Sequence, residues 1–377
     1  MSSPTSPSTQ APSQLGGVAL VLMTLLGWSS IPLFLRHFAE DIDGWTSNGW
    51  RYGFAALMWL PVLLVVGARR KLPKGLYVAA LVPSAFNCIG QVCFTWAHYM
   101  LDPGMLTFAL RAHIVFVTLG AALLFASERA VIKRPLFLIG IALVIGGTSA
   151  TILLAPPDKV STASEASGVF ADDPGLARTI GVALSIAAGA LFACYALSVR
   201  KFMVGVNSIL AFAAISQYTA LAMIVLMIGL GTAAGLSGLP SSWHSAGALT
   251  ETGFWLLIAS SVIGIALGHV GYYMSINRLG VAVASGVIQL QPFVVSIASL
   301  LVFKELLTAG QWVAGGIAVA GAGSMLWSQH RATKGKPPLF APRMKTPKPE
   351  LRELPADHVA AASLADSCED SPEQAER

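Results

Sequence analysis

Arg51 and Arg111 interrupt long apolar stretches, GWRYGFAAL and FALRAHIVF, and no aspartate or glutamate lies well inside any comparable stretch. Asp102, Glu128 and Glu305 fall at stretch ends. A charge near the middle of a bilayer costs about 2.5–3.5 kcal/mol even on lenient insertion scales. An arginine stays protonated there, so two buried cations without a protein anion imply a ligand anion, which a planar guanidinium can hold bidentately. Arg111 is the first candidate for that docking contact and Arg51 the second. At about 1.5 Å rise per residue both sit roughly 9 Å inside their spans and can share a level. Snorkelling to lipid headgroups is the competing role for Arg51. His113 and His269 are proton-coupling candidates, because imidazole titrates near neutral pH. A core histidine bonded to a neighbouring helix is the plainer alternative for each. His113 follows Arg111 by two residues, about 200° around a helix, so the two do not point at one atom. His98 is expected at the wet edge of its span.

Neutral polar and aromatic groups gather on a few of the same stretches: Asn87, Gln91 and Trp96; Gln217 and Tyr218; Tyr272, Tyr273 and Asn277; Gln289 and Gln291. They are candidate substrate contacts, and interhelical hydrogen bonds, worth roughly 0.6–2 kcal/mol in membranes, are the alternative for many of them. Trp28, followed by Ser29, Ser30 and Pro32, marks a kink where a freed carbonyl and hydroxyls can face a cavity. Cys88, Cys93, Cys194 and Cys368 form no CxxC pair, and the chain has no His/Cys ligand spacing, Walker loop, GxSxG or HExxH. Neither a metal, a cofactor, an ATP-driven pump nor a hydrolase is expected.

The elements that must position these residues follow from composition. Of 377 residues 55% are hydrophobic and 11% charged, against roughly 25% charged in soluble domains. Runs of about twenty apolar residues can each cross a hydrocarbon core of about 30 Å. We expect an all-α polytopic membrane protein with ten transmembrane helices, near 15–35, 45–67, 76–99, 104–126, 135–155, 177–199, 207–230, 254–277, 281–302 and 310–328. Lys and Arg crowd one set of loops (Arg69, Arg70, Lys71 and Lys74; Arg129, Lys133 and Arg134; Arg200 and Lys201; Arg278), while the other set holds Arg36, Lys159, Arg178 and Lys304. The bias puts both termini in the cytoplasm, in the inner membrane. The first run is too long for a signal peptide and is expected to be retained. Residues 1–14 and 329–377 are expected to be disordered tails. The net charge of +5 sits largely in loops and the tail, which gives no support for nucleic acid as a partner. Membrane lipid and a small-molecule substrate are the expected partners, and the sequence is compatible with a homodimer.

The chain also repeats itself. Shifted by 164 residues, Gly17-Val18-Ala19-Leu20 falls on Gly181-Val182-Ala183-Leu184. Shifted by 177, Phe116-Val117, Ala121, Leu123-Leu124 and Glu128 fall on Phe293-Val294, Ala298, Leu300-Leu301 and Glu305. Near the end, Gly140-Ile141-Ala142 and Gly147 meet Gly316-Ile317-Ala318 and Gly323, and Gln217-Tyr218 matches Arg51-Tyr52. The reading is two five-helix repeats, 15–155 and 177–328, joined by an outer linker, 156–176. Five is odd, so the second copy enters from the opposite side and the repeats are inverted, the architecture of secondary transporters. The glycines of the fifth and tenth spans, Gly146-Gly147, Gly315-Gly316, Gly321 and Gly323, are read as sites of close helix packing.

The order of Gly27-Trp28 and Pro32, Arg51, Gly280 and Pro292, and Glu305 resembles the drug/metabolite transporter superfamily, in particular the EamA-type permeases, over roughly 15–328. The sequence departs from that pattern at Val115, where Pro292 has its counterpart, and at Arg111 and His113, where relatives carry apolar residues. The resemblance implies a secondary transporter, an exporter of a small organic metabolite or drug, with a cavity lined by spans one, three, four, six, eight and nine. Together with the buried arginines this makes the expected substrate anionic or zwitterionic. A membrane-embedded enzyme acting on lipid head groups, or a ligand sensor, is the alternative, and the lack of intramembrane carboxylates argues against the enzyme.

Overall fold

The computed structural model describes residues 14–125, 129–156, 161–231, 249–279 and 281–333, and these are helical apart from turns and short connections. Residues 1–13 and 334–377 of the tails expected to be disordered, as well as Glu128, Lys159 and Gly280, lie outside them, whereas Gln14 and 329–333 are helical. The order is α1 (Gln14–Phe38), α2 (Gly44–Ala68), α3 (Leu76–His98), α4 (Pro103–Ala109), a 3-10 turn at Leu110–Ala112, α5 (His113–Leu124), α6 (Arg129–Ile132), α7 (Pro135–Leu153), α8 (Thr162–Ser167), α9 (Pro174–Phe202), α10 (Ser208–Leu230), α11 (Glu251–Ala259), a π-helical stretch Ser260–Leu267, α12 (Gly268–Leu279), α13 (Val281–Ile288), α14 (Gln291–Phe303) and α15 (Ala309–Thr333). Among the described residues nine helices are long and apolar enough to cross a membrane. The expected tenth, α15, has the length, 25 residues, but its glycines and polar residues leave it outside that set. It also continues past the boundary expected at 328.

Helix starts are written locally. Asp43 caps α2, its carboxylate accepting from Trp45 N at 2.8 Å and Thr46 N at 3.1 Å. Asn207 caps α10 through Ile209 N at 2.9 Å, and Thr250 caps α11 through Gly253 N at 3.1 Å. Each satisfies a donor the first turn leaves open, which matters most where no water competes. Large apolar side chains point outward, Leu57 at 62%, Val78 at 72% and Leu123 at 78% exposed. Arg51, Asn87 and Thr219 are buried. That inversion suits a lipid surround and would aggregate in water.

The repeats meet in a pattern that survives their exchange. α2 packs on α10 and α7 on α15, each pairing an element with its counterpart, and α4 of the fourth span packs on α14 of the corresponding ninth; α1 packs on α12 and, equivalently, α9 on α3. Gly181 near the start of α9 abuts Met100 and Leu101 beyond the end of α3, so α9 enters from the face at which α1 and α3 end. α7 and α15 lie antiparallel. A Cβ on Gly140 would fall 2.8 Å from Gly321 O, and one on Gly147 would fall 2.5 Å from Ala318 N. The close-packing reading holds for Gly147, Gly321 and Gly315, the last pressed on Phe108. It does not hold for Gly146 and Gly323, which face open space.

Candidate functional site

Two prolines create the acceptors around which the site is built. Proline has no N–H to give the carbonyl four residues back, so Pro32 frees Trp28 O and Pro292 frees Ile288 O. Gln291 Nε2 donates to Trp28 O at 2.9 Å. Arg111 Nη1 donates to Ile288 O at 3.4 Å and Gln289 Oε1 at 3.3 Å, and Nη2 donates to Gln291 Oε1 at 3.0 Å. Its Nε donates to Thr107 O at 3.2 Å. Arg111 also faces the carboxyl-terminal end of α13, where the helix dipole favours a cation. The fourth span breaks at the 3-10 turn that carries Arg111, and the ninth breaks between Ile288 and Gln291. In the register that sets Phe116 on Phe293, Arg111 sets on Ile288. The two spans are therefore interrupted at equivalent points and joined there by one guanidinium.

Arg51 is the contrasting case. It is 1% exposed, and its Nε donates to Ser260 Oγ at 3.0 Å. No ion pair and no other hydrogen bond of Arg51 occurs among the described residues. Ser260 opens the π-helical stretch, a wider turn that is frequent at functional sites, and itself donates to Leu257 O at 2.7 Å. Around the same stretch lies an aromatic wall. His269 stacks on Phe212 at 4.8 Å and meets Trp28 edge-on at 5.3 Å, and Trp28 packs on Tyr272 at 5.0 Å. Gly264 and Gly268 allow the approach of α1: a Cβ on the first would fall 2.4 Å from Ile31 Cγ1, and on the second 2.6 Å from Trp28 Nε1.

The sequence profile of the EamA-like transporter family matches residues 15–153 and again 179–327. The chain belongs to that family. Its two matches coincide with the two repeats, so this EamA-like protein is a multi-pass membrane protein of a transporter family. Among solved structures, the crystal structure of another protein superposes with a TM-score of 0.56 over 84% of this chain and 99% of its own, at 14% identity. That likeness concerns fold alone. A search of curated proteins returned no match.

The EamA-like fold places the remaining candidates in different settings. Asn87 Nδ2 donates to Thr219 Oγ1 at 3.1 Å, tying α3 to α10, while its Oδ1 is buried without a partner. Gln217 Nε2 donates to Ala56 O at 2.9 Å, and Tyr218 meets Tyr77 edge-on at 6.4 Å. Tyr273 Oη lies 3.4 Å from Tyr195 Oη. Gln91 is partly exposed, and the side chain of Asn277 lies outside the described residues. Trp96 is not with this group: it packs on Trp45 and Tyr99 under Val169. His113 Nδ1 lies 2.9 Å from Gly189 O and His269 Nδ1 3.0 Å from Ile265 O. For His113 the bond to a neighbouring helix is present, made possible because Gly189 lets α9 close on the 3-10 turn. His98 corrects an expectation. It is fully buried, with Nδ1 2.7 Å from Phe94 O, because the α3–α4 turn and the linker cover the span end. Arg36 and Glu305 are a second correction. Expected in an outer loop and at an outer span end, they are buried and paired, Nε to Oε1 at 3.0 Å. Counting Arg36 among the loop cations made it read as a topology signal and concealed the pairing.

Proposed function

We propose that the protein is a secondary carrier that moves a small organic solute with an anionic or zwitterionic group by alternating access between its two repeats. The observation that carries the reading is the joint at Arg111, where two discontinuous spans related by the repeat meet through proline-freed backbone. In secondary transporters such breaks mark the solute site at the repeat interface. Of the two arginines, Arg111 is engaged by four neutral acceptors, whereas Arg51 has terminal amino groups left for a ligand. The solute anion docks on Arg51, with the Asn87 amide oxygen available to a ligand donor. His269 and His113 stand as proton-coupling candidates. Export across the inner membrane, with both termini cytoplasmic, follows from the Lys/Arg bias and the habit of the family. An enzyme acting on lipid head groups would need an acid/base set near the arginines, and membership in a transporter family weighs against it.

A thermal-shift screen on the purified protein tests this. Carboxylates, phosphate esters and zwitterionic amino acids should include compounds that raise the unfolding midpoint, and Arg51→Gln should abolish that rise. A set of hits made up of permanent cations would refute the anion reading.

A further inference from the structure

On the face where α1 ends, the structure holds a buried charge pair that the site does not use. Arg36 Nε lies 3.0 Å from Glu305 Oε1, with 7% and 3% of the two side chains exposed. Arg36 Nη1 also meets Glu40 on its own helix at 2.9 Å, and the guanidinium lies 5.1 Å over the ring of Phe303. Ser299 Oγ donates to the other Glu305 oxygen. Lys304 adopts a left-handed φ of 61° between α14 and Glu305, turning the chain back toward α1. The pair thus joins α1 of one repeat to the α14–α15 turn of the other. Beneath it Ser296 Oγ is buried without a partner, 2.7 Å from where a Cβ on Gly104 would stand, so α4 and α14 touch there. On the same face the linker is tucked in. Val169 is fully buried beside Ala39, Trp96 and Met100, and Ser167 Oγ donates to Tyr99 O at 2.6 Å.

We infer that the Arg36–Glu305 pair is the latch of this face, closed in the present structure and broken when the site opens toward it. The inference rests on the alternating-access reading. A solute leaving by this face needs α1 and the α14–α15 turn to separate. An apolar contact there would bias the protein toward closure, because opening would expose it to water. An ion pair behaves differently: its burial is costly and its separation returns both charges to water, so the two states stay close in free energy.

The test is the rate at which a maleimide modifies Ser296→Cys in purified protein whose four native cysteines are replaced by alanine. It is measured without any solute, so a negative result leaves the carrier reading standing, and failed transport leaves the latch measurable. Glu305→Gln and Arg36→Gln should each speed modification by about tenfold or more. Glu40→Gln, which removes only the partner on the same helix, should stay within about twofold. Ser299→Ala removes one hydroxyl contact to Glu305 and is expected to fold normally, with about a threefold rise. Unchanged rates in Ser299→Ala and in whichever charge variants fold would overturn the latch, as would an equal rise in Glu40→Gln.

Discussion

Neighbouring glycines in α7 should respond to the same substitution with opposite signs. A Cβ on Gly147 would stand 2.5 Å from Ala318 N, 2.6 Å from Ala314 O and 2.9 Å from Ala318 Cα, all backbone of α15. Ordinary carbon contacts lie near 3.5–4.0 Å, so α15 would have to withdraw by about 1 Å. Backbone cannot turn aside as a side-chain end can, and overpacking of this kind costs about 1–3 kcal/mol. A Cβ on Gly146 would meet nothing within 4 Å. There alanine brings only its helix propensity, a gain of about 0.5–1 kcal/mol. That propensity gain is common to both sites, so the difference between Gly147→Ala and Gly146→Ala isolates the clash. In a detergent melt it should separate the two midpoints by on the order of 5 °C, with Gly146→Ala at or above the parent. Equal midpoints, or a more stable Gly147→Ala, would mean that α7 and α15 do not pack as described.

Arg111→Gln should lower the midpoint more than Arg51→Gln. The first strands two buried glutamine oxygens at about 1–3 kcal/mol each, whereas the second breaks one bond to Ser260. Equal losses would contradict the bracing role. Pro32 and Gln291 should be coupled: Pro32→Ala restores an N–H to Trp28 O, so Gln291→Leu should cost less in that background, by about 0.5–3 kcal/mol in a double-mutant cycle of melts. Additive losses would remove the proline-freed carbonyl from the account. A cysteine in the linker, at Ser161, should react with an impermeant maleimide added outside intact cells. Reaction only after lysis would reverse the proposed orientation.

The fold was legible because it rests on coarse signals: apolar run length, an odd number of spans per copy, and a repeat whose matches run through charged and glycine positions. The kink at Pro32 could be read locally, and Trp28 O is indeed released there. Its occupant, Gln291, stands on the ninth span, and no spacing rule connects the two. Arg111 was recognised as a buried cation with no acid, but the sequence could not say that neutral acceptors from a second broken helix would satisfy it. That knowledge required the pairing of α4 with α14. Trp96 and Asn87 share α3 and looked alike as polar-aromatic candidates. They separate only because the linker folds over one end of α3, burying Trp96 with Val169. Gly146 and Gly147 show the same limit, since adjacent identical residues differ only in which neighbour they face.

Counterflow in proteoliposomes tests the central claim most directly. Vesicles preloaded with an anionic or zwitterionic solute found in the thermal screen should take up the labelled solute transiently above equilibrium. Arg51→Gln should reduce that overshoot at least tenfold, with protein content and melting midpoint near those of the parent. The account is contradicted if the labelled solute is not exchanged at all, or if Arg51→Gln exchanges it at the parent rate.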